Sequence, residues 1–427
     1  MTEVGRIAGE EERAGAVNDG AAPTRVALIG AGFIAAVHLR VLAYCEDAEV
    51  VALCDTDAVR AEALARSCKI ERVHTSLDEL IETGGFEAAH VLVPPGAHEE
   101  VTRRLLEAGV HVLVEKPMAL RAASARALGE LAAAKNLCLG VNHNMTFHPL
   151  VQRLEDDLHK GRLGRIEHVG AVHHVPLRQL DSGDVSHFMF ASEANILLEQ
   201  VVHPLSVVMQ LLGPAEGVDA QVGEARTLPN GARFFDTWHL ALRCQRGTAQ
   251  LFCAFGRDML ETTLQVIGSD GAVRIDLQRG TYQRLRKTRW LEFWDTAWNG
   301  IAGGFGLIVQ GLASAGRWVA GLFGFSKLPD PFLQGMGASI EAFHQALRHG
   351  QSPAQGAEAA VAVLSACEMA ATAAGARQDE REPRPLPEPG PAREGEVLVT
   401  GGTGFLGRHL VQALQDAGQP VTLLVRR

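Results

Sequence analysis

The chain has 427 residues, 47% hydrophobic and 21% charged, which is enough for about two or three domains with sizeable cores and excludes an intrinsically disordered chain. Its formal net charge of −10 disfavours nucleic acid as a partner, because the phosphate backbone selects basic surfaces. The seven cysteines form no CxxC pair, so we expect reduced thiols in a cytoplasmic protein. Residues 1–23 carry early acidic residues and no apolar stretch, which predicts a disordered leader.

Residues 24–145 alternate short apolar strands with helices, beginning with RVALIG, a helical stretch and EVVALCD. This alternation predicts an α/β fold, an N-terminal Rossmann domain with a doubly wound parallel sheet. Residues 146–375 have longer alternating runs and few long helices, which predicts a second, α+β domain with an open, mainly antiparallel sheet. An apolar insertion interrupts this second domain at residues 288–328.

Residues 376–394 are charged and rich in proline, and predict an extended linker. Residues 395–427 then begin a second strand, glycine turn, helix and strand, an incomplete second Rossmann βαβ unit. Their glycines, Gly401, Gly404 and Gly407, resemble the start of an extended short-chain dehydrogenase or NAD-dependent epimerase. The Tyr-x-x-x-Lys motif that such enzymes use for proton transfer does not follow, so we expect no separate activity at this end. A second interpretation stays open, in which the sequence is a fragment of a larger bifunctional enzyme of polysaccharide or glycolipid assembly.

The first glycine turn has the pattern GxGxxA directly after a strand. It comprises Gly30, Ala31, Gly32, Phe33, Ile34 and Ala35. The first glycine permits the tight turn, the second lets the backbone approach a pyrophosphate, and the small third residue lets helix and strand pack closely. Asp55 ends the next strand, where a carboxylate can accept both hydroxyls of an adenosine ribose. With Asp57 also acidic, a 2′-phosphate would be repelled, so NAD is predicted over NADP. A purely structural turn is the alternative.

Three segments occur in a fixed order: GAGFIAAVHL, which contains this turn and His38, then VPPGAH with Pro94 and His98, and then VLVEKP with Glu115, Lys116 and Pro117. Together they resemble the glucose-fructose oxidoreductase and inositol dehydrogenase (Gfo/Idh/MocA) family, over roughly residues 24–287 and 330–375. The resemblance implies NAD(P)-dependent oxidation or reduction of CH–OH groups in sugars, nucleotide-sugars or cyclitols. It also implies a homo-oligomer built through the second-domain sheet, a lysine of EKP beside the nicotinamide, and a second-domain histidine as acid/base.

The position of Lys116 supports the same role independently. It follows an apolar strand, at the carboxyl edge of a parallel sheet, where open α/β sheets bind ligands. The alternative is a solvated lysine at a strand end, the usual environment of this residue type. Pro117 makes the preceding peptide bond a candidate for the cis isomer.

His203 lies in an apolar stretch that predicts a helix ended by Gly213. If His203 is at the helix cap, the positive helix end favours a neutral ring that can accept a proton near pH 7. The alternative is a packed core histidine. The stretch is similar to the family's Asp-x-Gly-x-His-x-x-Asp segment. Here Glu199 replaces the first Asp, Val201 replaces the Gly, and Ser206 replaces the second Asp. Glu199 is therefore a further candidate for proton transfer, and a non-catalytic NAD-binding module or subunit is the competing function.

Asn142, Asn144 and His148 follow the last strand of the first domain and resemble the family's cleft-lining segment, with Asn142 expected to contact the cofactor. The alternative is that they only form a turn. His173 and His174 are adjacent in a predicted strand and face opposite sides, so no metal site is predicted.

Residues 284–328 combine basic residues, tryptophans and an apolar, glycine-rich stretch. The basic residues are Arg284, Arg286, Lys287 and Arg289, followed by Trp290, Trp294 and Trp298. Within 301–325 the polar residues are Gln310, Ser314 and Arg317, whose spacing places them on one helical face. Two interpretations stay open: a core or dimer-interface helix, and a helix lying on an anionic membrane surface. A full span is disfavoured because Arg317 is costly at the bilayer centre.

Overall fold

The computed structural model describes residues 22–287, 291–323, 330–376, 397–400 and 405–424. The predicted leader and linker and the GxxGxxG turn lie wholly or mostly outside these ranges, and they stay predictions.

The first domain contains six strands and five helices in alternation. The strands are β1 (Thr24–Ile29), β2 (Ala48–Cys54), β3 (Arg72–His74), β4 (Ala88–Val91), β5 (His111–Glu115) and β6 (Leu139–Asn142). The helices are α1 (Phe33–Leu42), α2 (Ala58–Cys68), α3 (Leu77–Thr83), α4 (His98–Glu107) and α5 (Ala122–Ala134). All strand pairs are parallel, in the order β3-β2-β1-β4-β5-β6. The order reverses between β1 and β4, which opens a ligand crevice at their carboxyl ends.

Both faces of this sheet are buried. Along β1, Ala27 and Ile29 belong to one hydrophobic cluster, whereas Val26 and Leu28 belong to another. Since successive side chains of a strand point to opposite faces, the two clusters lie on opposite sides of the sheet. This arrangement confirms the predicted doubly wound Rossmann domain.

The second domain is built on a seven-stranded sheet. Its strands are β7 (Ile166–Val175), β8 (Ala215–Val222), β11 (Thr237–Cys244), β12 (Gly247–Phe255), β13 (Glu261–Gly268), β14 (Gly271–Asp276) and β15 (Thr281–Arg286), with β9 (Ala225–Thr227) and β10 (Arg233–Phe235) forming a separate hairpin. The order is β15-β14-β13-β7-β12-β11-β8, and every pair is antiparallel except β7 with β12. The central β7 joins two antiparallel meanders, so the sheet is mixed but mainly antiparallel, as predicted.

The second domain also contains six helices in its described residues, including helices that pack on one face of this sheet and helices that return to the first domain. They are α6 (Pro149–His159), α7 (Arg178–Ser182), α8 (Val202–Leu212), α9 (Glu292–Leu322), α10 (Pro331–Arg348) and α11 (Ala357–Ala373). Met336, Ile340 and Phe343 of α10 complete one hydrophobic cluster of the Rossmann domain, and Ala360 and Leu364 of α11 complete the other. The last helices of the second domain therefore bury surface of the first.

The C-terminal segment contains β16 (Val397–Thr400), α12 (Phe405–Asp416) and β17 (Val421–Leu424). The two strands pair in parallel. None of the helices in the described ranges combines the length and apolarity that crossing a membrane requires.

Candidate active site

The first glycine turn has the geometry of a dinucleotide cradle. Gly30 has φ 108°, and a Cβ at this position would lie 2.6 Å from the backbone oxygen of Leu92, so only glycine fits without a shift of the backbone. Gly32 precedes α1 as its N-cap, and a Cβ there would meet no atom within 4 Å. The space over the helix N-terminus fits a pyrophosphate, which the helix dipole and free N–H groups stabilise. Phe33 is exposed, whereas Ile34 packs against the core.

Asp55 is held beside this turn. Its Oδ2 accepts a hydrogen bond from the backbone N–H of Ala31 at 2.7 Å, and its Oδ1 accepts one from the N–H of Asp57 at 2.8 Å. The carboxylate is thereby fixed between the glycine turn and the end of β2, where it fits the ribose hydroxyls of a dinucleotide.

We expect Asp55→Ala to weaken NAD binding by roughly tenfold and to narrow the preference for NAD over NADP, because the variant loses the carboxylate that repels a 2′-phosphate. Calorimetric titration with both dinucleotides measures the change. The exposed Glu71 gives the matched control, Glu71→Ala, which should leave the preference unchanged. A wild-type preference for NADP would contradict the assignment.

Lys116 lies at the end of β5, and its peptide bond to Pro117 is cis. Its Nζ donates to the backbone oxygen of Glu199 at 2.9 Å and lies 3.0 Å from Oε1 of the same residue. Both side chains are largely buried. Glu199 belongs to a single π-helical turn, Leu197–Val201, directly before α8. Such turns occur often at functional sites, because they redirect side chains within a helix.

Glu115 lies behind Lys116 in a buried polar group. Its Oε1 accepts a hydrogen bond from Nδ2 of Asn142 at 2.6 Å and lies 2.9 Å from Nε2 of the fully buried His38. Burial alone raises the pKa of Glu115, but the contacts with His38, Asn142 and Lys116 outweigh it, and the pKa is lowered. Oδ1 of Asn142 is buried without a hydrogen-bond partner in the described part of the chain. This free acceptor fits the carboxamide of a nicotinamide.

Both ring nitrogens of His98, but only Nδ1 of His148, make structural contacts, and Nε2 of His148 is buried without a hydrogen-bond partner in the described residues. The ring nitrogens of His98 lie 2.7 Å from the backbone oxygens of Val93 and Pro117, so the ring connects the loop carrying Pro94 to the EKP segment and presents neither nitrogen to a cofactor. Nδ1 of His148 accepts the N–H of Leu150 and caps α6. Asn144, in the preceding short 3₁₀ helix, is buried.

His203 is the second residue of α8, but it is not at a free helix end, because the π-helical turn continues directly into α8. The predicted cause of its neutrality is therefore wrong. The pKa of His203 is held well below its usual value by burial, and then by electrostatic interaction with Lys116, His173 and His143. The ring of His203 is nevertheless neutral at pH 7, as expected. Ser206 donates to the backbone oxygen of His203 at 2.7 Å and so does not replace the missing carboxylate.

Three histidines near this site were not assigned a role from the sequence. His143 lies 3.0 Å from Oε1 of Gln355, His173 lies 2.9 Å from Oγ1 of Thr262, and His90 contacts His38 at 3.0 Å. His90 had a visible signal, a lone polar residue in a buried apolar strand. Within the described ranges, no three His, Cys, Asp or Glu side chains are placed to hold a metal ion.

Family comparisons agree with this arrangement. Residues 24–143 match the GFO/IDH/MocA model described as an oxidoreductase family with an NAD-binding Rossmann fold, and residues 151–274 match the GFO/IDH/MocA C-terminal domain. The two matches cover more than half of the chain. Residues 397–427 match the NAD-dependent epimerase/dehydratase family, in agreement with the resemblance of the C-terminal glycine motif.

Two of the relatives are named for the sugars on which they act. The chain is 31% identical over 206 residues to a dTDP-3,4-didehydro-2,6-dideoxy-alpha-D-glucose 3-reductase of Saccharopolyspora spinosa, covering 48% of this chain and 61% of that protein. It is 26% identical over 255 residues to a D-apiose dehydrogenase of Paraburkholderia graminis, covering 58% and 66%. The chain spans 38% to 66% of the length of the first curated relatives it matches.

Among solved structures, the chain resembles the WlbA dehydrogenase of Bordetella pertussis in complex with NADH and UDP-GlcNAcA. The TM-score is 0.64 at 20% identity, with 83% of this chain and 96% of that chain covered. At this identity, the similarity shows a shared fold.

Proposed function

Because the chain belongs to the Gfo/Idh/MocA family of oxidoreductases, we propose that it is an NAD-dependent enzyme acting on a hydroxyl or carbonyl group of a sugar, nucleotide-sugar or cyclitol-like substrate. The observation that carries this proposal is the contact of Lys116 with Glu199, beside the neutral His203, at the carboxyl edge of β5. A non-catalytic NAD-binding module would not need a buried lysine and a proton acceptor at this edge, so that alternative is not favoured.

The dinucleotide, when bound, supplies the hydride acceptor or donor. Gly30, Gly32 and Asp55 would hold its adenosine and pyrophosphate, and Asn142 its carboxamide. Lys116 donates a hydrogen bond to the reacting substrate oxygen and stabilises negative charge that develops there. His203, neutral at pH 7, accepts the hydroxyl proton on a ring nitrogen during oxidation and returns it during reduction. Glu199 holds the ammonium group of Lys116 in place.

The test is hydride transfer, measured as absorbance near 340 nm, with a panel of sugars, nucleotide-sugars and cyclitols. We expect at least one class to change the redox state of the nicotinamide. Dinucleotide binding without any such change across the panel would favour the non-catalytic module.

We also propose that the protein associates with an anionic membrane surface through α9. An ordinary surface helix buries its apolar side, whereas α9 turns its polar side inward and exposes its apolar side. Oε1 of Gln310 accepts the N–H of Tyr282 at 2.7 Å, and Asn299 bonds both backbone groups of Arg286. The polar side of α9 therefore faces β15. The outward side carries exposed apolar residues: Trp294, Trp298, Ile301, Phe305, Ile308 and Leu312.

This exposure does not fit a core helix, and lipid and a second copy of the chain are the two partners that we consider for α9. We favour lipid because the neighbouring strand β15 carries Arg284 and Arg286, followed by Lys287, and basic side chains beside an apolar face match an anionic interface. We propose that the protein is cytoplasmic and attaches peripherally to the membrane.

We expect the triple variant Ile301→Ser, Phe305→Ser, Leu312→Ser to bind anionic vesicles at least about 1000-fold more weakly than wild type, because burial of each exposed side chain in the interface contributes about 1.5 kcal/mol or more. Co-sedimentation with vesicles measures the change. The control replaces three exposed apolar residues elsewhere: Val59→Ser, Met259→Ser and Leu260→Ser. A wild type that ignores vesicles, with a dimer that only the α9 variant breaks, would establish the second copy as the partner.

Self-association through the second-domain sheet is a separate proposal. Along β11, His239, Ala241 and Arg243 are exposed while the alternate residues are buried, so one face of the sheet is uncovered. Light scattering of the α9 variant tests this, because a dimer that survives the loss of the apolar side must use another surface.

A further inference from the structure

A cavity of about 340 Å³ lies between α6, β15 and α9. Its lining includes four arginines, Arg153, Arg162, Arg284 and Arg286, and a single carboxylate, Asp157, among the described residues. The cavity therefore has an excess of positive charge in a chain whose formal net charge is −10.

Asp157 orders one side of the cavity. It is buried, accepts a hydrogen bond from the hydroxyl of Tyr282 at 2.8 Å, and lies 2.6 Å from Nη1 of Arg162 and 3.5 Å from Nη1 of Arg284. One carboxylate is thus shared by two guanidinium groups. Their remaining N–H donors are held in place by a buried anchor, which reduces the entropy lost on binding a ligand.

The other two arginines have no acidic partner in the described part of the chain. The guanidinium of Arg153 stacks over the ring of Tyr282, with Cζ 4.1 Å from the centroid. Arg286 is fixed through its backbone, which Asn299 bonds on both sides, while its side chain is exposed. Guanidinium groups arranged around a cavity suit phosphate oxygens, which they bind in pairs.

The cavity also borders the apolar side of α9. Trp298 lines the cavity and also belongs to that apolar side, where it is 62% exposed. A ligand with a phosphate next to an alkyl chain would contact both surfaces across Trp298.

We propose that this cavity binds the phosphate head group of an anionic membrane lipid, with the acyl chains along the apolar side of α9. The proposal rests on the membrane association proposed above and adds a stereospecific site to it. A phosphomonoester suits the site best, because it exposes three oxygens and up to two charges to the four arginines.

The test compares vesicles of phosphatidylcholine with phosphatidic acid against vesicles with phosphatidylserine, adjusted to the same surface potential. We expect wild type to prefer phosphatidic acid by about tenfold, which is the effect of roughly 1.4 kcal/mol. The double variant Arg153→Gln, Arg286→Gln removes the two arginines without an acidic partner and should lose this preference. The control Arg25→Gln, Arg165→Gln removes the same charge from exposed positions outside the cavity and should keep it.

Equal binding of wild type to both vesicles would overturn the head-group site while leaving membrane association intact. No binding to either vesicle would overturn both proposals. The midpoint of thermal unfolding, measured with millimolar inorganic phosphate at constant ionic strength, shows whether the cavity binds a free phosphate ion instead of a lipid head group. Stabilisation of wild type but not of the double variant, without a vesicle preference, would overturn the lipid as the source of the phosphate.

Discussion

Lys116→Ala is expected to lower hydride transfer about 100-fold or more while NAD binding stays within a few-fold, because the ammonium group acts on the substrate oxygen and not on the dinucleotide. Single-turnover absorbance measures the first quantity, and calorimetry the second. The substitution leaves Glu199 without its cation, so thermal unfolding must accompany the measurement. Lys160→Ala, at an exposed lysine paired with Asp156, is the matched control and should retain full activity.

His203→Ala should give a similar loss, since the variant lacks the ring that accepts the proton. Because the pKa of His203 lies well below its usual value, the wild-type ring stays neutral as the pH falls from 8 to 6, and protonation of this ring should not limit turnover in that range. Full turnover by His203→Ala would make the assignment wrong. Glu199→Gln would then be the next variant to measure.

Gly30→Ala is expected to abolish NAD binding and to lower the free energy of unfolding by about 3 kcal/mol or more. The added Cβ would lie 2.6 Å from Leu92 O and 2.8 Å from Leu92 C, both of which are backbone atoms. The residue also has φ 108°, which an L side chain rarely adopts. Chemical denaturation measures the stability, and calorimetry the cofactor affinity.

Gly32→Ala is the informative comparison. Its backbone has φ −77°, and the added Cβ meets no protein atom within 4 Å, so the fold should keep its stability. Its methyl group would nevertheless occupy space needed by a pyrophosphate, and NAD affinity should fall by about tenfold. If Gly32→Ala binds NAD as wild type does, the dinucleotide does not approach this turn.

The fold could be predicted because its signals are local. GxGxxA after a strand, apolar runs ended by Asp55 and Lys116, and period-two runs such as TWHLALRC each define an element from a few neighbouring residues. The parallel pairing of β7 with β12 could not be predicted in this way, because it joins segments about 80 residues apart whose alternation suits either direction of pairing.

The candidate site was only partly predictable, because its contacts also join segments that are distant in the sequence. Lys116 and His203 were recognisable by motif, but the contact of Lys116 with Glu199 depends on a π-helical turn that no residue pattern marks. The low pKa of His203 depends on burial and on Lys116, His173 and His143, which come from distant segments. His98 matched the family pattern, yet its contacts with two carbonyl oxygens appear only after the loops fold together.

The amide contacts of α9 with β15 have a consequence for aggregation. β15 is the outermost strand of its sheet in the described chain. As residue numbers rise from Asn299 to Gln310 along the helix, their partners fall from Arg286 to Tyr282, so the helix runs beside the strand as an antiparallel neighbour would. Side-chain amides thereby occupy main-chain groups that could otherwise recruit a strand from another molecule. A protein lacking α9 would expose this edge and self-associate whether lipid is present or not, so pelleting of such a deletion would report intermolecular strand pairing.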